Sequence, residues 1–347
     1  MQSCNKATRR ELMKKRIKYL DLIKFFAIYC VILGHLIQYI GADPWHNPIW
    51  MLIYSFHVPL FMIMSGYFFS SSVKLSFRNF IKKKAVQLVL PALTWYIILC
   101  ILNSCINFII NKELILKYDL HGLLNSFWFL KSLFCCYVIA YLSLKLIKNE
   151  LLACLLSCIV LCLIPFGNFA ATNFLLPFFW IGFFFQKHRL NIENNMSLLW
   201  GVSLFSFVGS LTFWSGNYTI YKYPIELLLF KPLHFAPDSF LVMLYRLFIG
   251  LAGSFFFIFS IKFLQERYGN TDFADKLCTI GKQTLGVYLI QTIVFEVFFY
   301  ALSLCFSSFV VNVFSPILTV VILAFCLFII KVIERNKYTR LFLLGIK

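Results

Sequence analysis

Asp21, Lys24, His35 and His57 are the residues best placed to do chemistry, because each sits in a run otherwise apolar enough to cross a bilayer. Ionisable groups are expensive in hydrocarbon and are usually retained for a task. Lys24 and His35 are 11 residues apart, which on a helix returns to within about 20° of one face, roughly 16 Å further along the axis. They cannot touch, but they can line one channel. Asp21 precedes Lys24 by three residues, a spacing that allows an ion pair. The second run turns back and brings His57 to the depth of His35. Two neutral imidazoles at one depth suit a general base or a proton relay, since imidazole titrates near neutrality. Two histidines alone make a poor metal site, so no metal is expected. The plainer alternatives are a Lys24 that snorkels to the interface and a His35 that bonds a neighbouring helix. Pro59 removes a backbone donor beside His57, while Ser65 and Gly66 permit close helix approach.

Further polar groups recur along the chain. Asn125, Trp128 and Lys131 open a fourth apolar run, Arg246 lies in the eighth, and Gln291 and Glu296 lie in the ninth. An arginine at membrane depth needs an anionic partner, for which Glu226 and Glu296 are the candidates. The Lys82-Lys83-Lys84 triplet serves topology, or alternatively holds the phosphates of a nucleotide-like ligand. Cys154, Cys158 and Cys162 recur every four residues and read as a packing face of small side chains rather than a metal site.

The elements that must position these groups follow from composition. Of 347 residues, 61% are apolar and 13% charged, and mean hydropathy is +0.82. Soluble chains are about 45–50% apolar and about 25% charged. The fold class is therefore all-α: a polytopic transmembrane helical bundle of about ten spans. Hydropathy places them at 19–40, 49–70, 86–110, 126–147, 151–165, 172–187, 196–214, 239–263, 279–303 and 312–332. The first run is too long for a signal-peptide core and lacks a cleavage site. Residues 1–347 read as one integral-membrane domain, with a basic N-terminus over 1–18 and a tail over 333–347.

With both termini in the cytoplasm, about 25 of the 32 Lys and Arg fall in inner segments, and only Lys112, Lys117, Lys222 and Lys231 fall outside. The positive-inside rule requires such an imbalance. It accounts for the +18 net charge without a nucleic-acid partner. The outer loop from Ser215 to Asp238 carries Tyr218, Tyr221, Tyr223, Glu226 and His234, and loops of that length are often functional.

These motifs resemble the membrane-bound acyltransferase 3 family, in its branch that O-acetylates polysaccharides and sugars. The first helix of that family carries an acid, a base three residues on and a V-V-L-G-H element, matched by Asp21, Lys24 and Val31-Ile-Leu-Gly-His35. Its second helix resembles Phe56-His57-Val-Pro-Leu-Phe-Met-Ile-Met-Ser-Gly-Tyr67, and its W-F-L element resembles Trp128-Phe-Leu130. A late element resembles Gly281-Lys-Gln-Thr284-Leu-Gly-Val-Tyr288-Leu289. Two positions depart: Lys24 stands where many members have arginine, and Gln291 where many have histidine.

The resemblance implies acyl transfer from cytoplasmic acetyl-CoA to a sugar hydroxyl on a lipid-linked or surface glycan. Acetyl-CoA would be a substrate, with no cofactor held permanently. His35 would deprotonate the hydroxyl or carry the acyl group, and His57 would orient or relay. Lys24, Asp21, Lys82, Lys83 and Lys84 would face the donor; Trp128, Arg246, Glu226 and Gln291 would face the acceptor. The implied setting is the lipid bilayer of the cell membrane, with a homo-oligomer left open. Two other readings stand beside it: a glycan or lipid transporter without chemistry, and a scaffold for glycan synthesis.

Overall fold

In hydrocarbon a backbone can satisfy its own polar groups only as a helix or a closed barrel, and among the described residues the long apolar runs are helices. The computed structural model describes residues 17–112, 126–163, 171–219, 225–226, 234–235, 237–269, 271–299 and 305–346. Asn125, Lys117, Lys222, Lys231, Tyr221, Tyr223 and Pro165 lie outside the described residues. Helix α1 spans Lys18–Ile40 and α2 spans Pro48–Tyr67. Then come α3, Phe77–Lys84, and α4, Leu90–Asn111, joined by a π-turn over Ala85–Val89. Helices α5 (Trp128–Leu146), α6 (Glu150–Leu163), α7 (Thr172–Lys187), α8 (Arg189–Asn194) and α9 (Met196–Leu211) follow. A two-residue antiparallel pair joins β1, Ile225–Glu226, to β2, His234–Phe235. The chain ends in α10 (Pro237–Tyr268), α11 (Asp272–Gly281), α12 (Thr284–Ile293, continued by a π-segment to Phe299), α13 (Ser308–Glu334) and α14 (Lys337–Leu344).

Among the described residues, six helices are long and apolar enough to span a membrane: Lys18–Ile40, Pro48–Ser71, Phe77–Ile109, Trp128–Leu146, Asp238–Tyr268 and Ser308–Glu334. Glu150–Leu163, Met196–Leu211 and Thr284–Phe299 are shorter apolar helices. The chain is thus a polytopic helical membrane protein. The structure differs from the sequence reading near 279, where the expected single span is split at Lys282–Gln283. The preceding helix α11 is amphipathic, with Asp272, Asp275 and Lys276 exposed, and starts where the Thr271 side chain accepts from the Ala274 amide. The packed face of α6 is centred one residue before the cysteines, of which Cys154 and Cys158 also pack against the core. Ala153, Ser157 and Leu161 are its buried residues, and Cys154, Cys158 and Cys162 flank them half-buried.

Helix α1 is the hub, touching α2, α10, α11, α12 and α13. Lipid tails are as apolar as leucine, so helices in a bilayer associate through close packing rather than hydrophobic burial. The α2–α7 crossing shows how close. A Cβ on Gly66 would overlap the Phe179 carbonyl, and one on Gly182 would overlap the Ile63 carbonyl. One end of the bundle is tied by charge. Glu193 Oε1 accepts from the Tyr19 hydroxyl at 3.2 Å and lies 3.5 Å from both Arg189 Nε and Lys262 Nζ.

Candidate active site

The start of α2 sets the register of His57. The Asn47 side chain accepts from the amides of Ile49 and Trp50, and Pro48 occupies the first helical position, where its missing N–H does no harm. Nine residues on, His57 faces the interior, 5% exposed. Its Nδ1 lies 2.7 Å from the Ile53 carbonyl. A carbonyl can only accept, so Nδ1 carries the proton and the neutral ring keeps its lone pair on Nε2. Pro59 has no N–H to give to the Ser55 carbonyl, and Ser55 lines the same wall.

Gly34 brings the first histidine to this place. A Cβ there would stand 3.0 Å from the Tyr54 ring, so glycine lets α1 and α2 close up beside His35. Tyr54 then stands edge-on to His57, 4.7 Å between centroids, and donates to Gln38 Oε1 at 2.5 Å. His35 is half-buried, its ring 5.9 Å from that of Phe295.

A cavity of about 360 Å³ gathers these groups. His35 and Gln38 reach it from α1, Tyr54, Ser55 and His57 from α2, Trp128 and Leu130 from α5, Arg246 from α10, and Thr284 and Tyr288 from α12. Thr219, from the turn after α9, also lines it. Arg246 is buried at 7% exposure, its guanidinium carbon 4.7 Å from the Phe174 ring centre. Phe127, just before Trp128, adopts φ +52°, a left-handed conformation that is uncommon for a bulky residue and often marks functional sites. The cavity unites His35, His57, Trp128 and Arg246 across four helices.

A second cavity, of about 210 Å³, lies at the charged end. Lys84, Gln87, Tyr137, Lys282, Gln283 and Glu334 line it, with Leu344, Gly345 and Ile346 from the C-terminal segment. Lys84 is 7% exposed and its Nζ sits 3.5 Å above the centre of the Tyr137 ring. Leu88, Leu133 and Leu285 line both cavities.

Other expected site residues lie elsewhere. Lys24 and Asp21 are 3.8 Å apart, and Lys24 Nζ is 4.0 Å from the Phe68 ring centre; neither residue lines the two cavities. The His35 cavity reaches down α1 only to Val31, about 10 Å above Lys24 at 1.5 Å per residue. Asp21 instead receives the late motif, since a Cβ on Gly281 would overlap its carbonyl. Lys82 and Lys83 are exposed. Glu226 is paired through its backbone with His234. Gln291 is fully buried behind the cavity wall, its Nε2 donating to the Tyr288 carbonyl and to Thr292 Oγ1. Glu296 interacts electrostatically with Lys131. Sequence reasoning missed Gln38, Tyr54 and Lys282. Gln38 carries a legible signal, a polar residue three positions beyond His35 on the same helix face. Among the described residues no group of three or more His, Cys, Asp or Glu could hold a metal.

A polytopic helical bundle with two histidines, an arginine and a tryptophan around one cavity is the architecture of a membrane protein with an interior site. The acyltransferase domain family matches residues 17–333, so the chain belongs to that family, the membrane-bound acyltransferase 3 proteins. It is 31% identical over 180 residues to nodulation protein NolL of Mesorhizobium japonicum, covering 48% of this chain and 47% of that protein. It is 30% identical over 187 residues to the NolL of Sinorhizobium fredii, covering 51% and 50%. The chain spans about half the length of the curated relatives it matches. No solved structure matches it.

Proposed function

We propose that this protein transfers an acetyl group from acetyl-CoA to a sugar hydroxyl of a lipid-linked or surface polysaccharide. The observation that carries the reading is the cavity shared by His35 and His57, which has Leu88, Leu133 and Leu285 in common with the basic Lys84–Lys282 pocket. The donor is a polyanion, and Lys84 and Lys282 offer charge for its phosphates. Lys82 and Lys83 add long-range attraction on the exposed flank. Lys24, held by Asp21, supports the same end from outside the cavity. The basic end then faces the cytoplasm, in the cell membrane, and the Thr219 end faces outward.

In this arrangement the sugar ring lies against Trp128 and Tyr54, and Arg246 takes a phosphate or carboxylate of the acceptor with its planar fork. His57 Nε2 can accept but cannot donate while neutral, so it aligns an N–H or O–H in the cavity. His35 takes the hydroxyl proton as the oxygen attacks the thioester carbonyl. The C–S bond breaks, an ester forms, and the proton passes to the departing thiolate. General-base assistance contributes about 10²–10⁴-fold. The test is purified protein with labelled acetyl-CoA and extracted glycolipid: label appears in carbohydrate as an alkali-labile ester. A transporter would leave the glycan mass unchanged.

A further inference from the structure

We infer that Leu88, Leu133 and Leu285 form a hydrophobic gauge that sets the length of the acyl group this protein accepts. The inference rests on the acyltransferase reading and deepens it. All three residues line both the histidine cavity and the basic pocket. A thioester whose nucleotide sits against Lys84 and Lys282 must therefore present its acyl end past these side chains. Leu88 and Leu133 are each 7% exposed, and Leu285 is half-buried. Little space is left beside these side chains, and a two-carbon group fits there more readily than a longer chain.

The position of Leu88 is built rather than incidental. It lies in the π-turn Ala85–Val89, and such turns interrupt the helical ladder and are frequent at functional sites. The C-terminal segment holds that turn from outside. Trp95 Nε1 donates to the Leu343 carbonyl at 2.8 Å. Gly345, at φ +65°, presses so close that a Cβ would stand 2.6 Å from the Val86 carbonyl and 2.8 Å from that of Gln87. Only glycine adopts this conformation easily. Leu285 is fixed in turn by its neighbour Gly286, against which Ile330 and Leu344 pack. The tail thus braces two of the three leucines. Behind them, Leu88 and Leu130 also border an almost wholly apolar pocket of about 280 Å³ between α4 and α5. Shortening Leu88 would open this space to a longer acyl chain.

The experiment compares initial rates with acetyl-, butyryl- and hexanoyl-CoA for the full-length wild type and Leu88→Ala, with titration of CoA and hexanoyl-CoA binding alongside. Removing one methylene's worth of fit changes discrimination by roughly 10–200-fold. Leu88→Ala is therefore expected to raise the butyryl-to-acetyl rate ratio at least tenfold, and to tighten hexanoyl-CoA but not CoA. Should that variant fail to fold, the milder Leu88→Val, which shortens the same side chain beside the same pocket, is expected to shift both readouts in the same direction. Ratios and hexanoyl-CoA affinities within twofold of wild type in a folded variant would overturn the gauge. Wild type that binds acyl-CoA with the expected variant shift but acylates no carbohydrate would keep the gauge and refute the acceptor reading.

Discussion

At the residue scale, the two histidines differ in freedom. The Ile53 carbonyl fixes the tautomer of His57, whereas His35 is positioned by packing against Phe295 and by the closeness that Gly34 allows. A fixed acceptor orients a partner; a freer ring can take up and return a proton. His57→Ala should therefore lower kcat/KM about 10–100-fold, as expected for loss of an aligning hydrogen bond, with the melting temperature little changed; transfer kinetics beside thermal unfolding check this. Arg246→Lys keeps the charge but loses the planar fork. It should raise the KM for glycan acceptor about tenfold, or about 1.4 kcal/mol, with kcat within threefold. Both histidines were legible in the sequence, because helical spacing and matched depth follow from position alone. Tyr54 and Lys282 were not. Their roles depend on contacts across helices, and Lys84 and Lys282 meet at one pocket though nearly two hundred residues apart.

At the element scale, the site depends on helices that approach until backbone meets backbone. Gly66→Ala must push α2 away from α7 at the Phe179 carbonyl, and overpacking of this kind destabilises by about 1–3 kcal/mol. A lower melting temperature of the detergent-solubilised variant, with acyl transfer reduced in step, is the expected outcome. Glu193→Gln leaves Arg189 and Lys262 without their shared carboxylate and should cost about 1–2 kcal/mol, read by the same melt, without altering selectivity among acyl donors. The helices themselves were readable from hydropathy. The break after Gly281 was not placed, although Lys282 and Gln283 are polar, because hydropathy averaged over a window carries the span across two such residues. The π-turn at Ala85–Val89 likewise has no signature in composition. Lys24 illustrates a different limit: its phase relative to His35 was readable, but the depth at which the cavity ends was not.

At the scale of the whole molecule, charge and cavities divide the bundle into two ends. The Lys84–Lys282 pocket and the Glu193 network share one end with both termini in the positive-inside reading, and Thr219 marks the other. A fluorescent-protein fusion after Lys347 should fluoresce, and an alkaline phosphatase fusion after Thr219 should be active; the reverse pattern would turn the donor pocket away from acetyl-CoA. Overall class was plain from 61% apolar composition, since nothing soluble needs so much. Direct transfer at an intramembrane imidazole is tested most sharply by purified wild type and His35→Ala with labelled acetyl-CoA and extracted glycolipid. The expected result is ester-linked label on carbohydrate from the wild type and a loss of about 10²–10⁴-fold in a His35→Ala protein that still folds and still binds CoA. Transfer at the wild-type rate without the imidazole would contradict it.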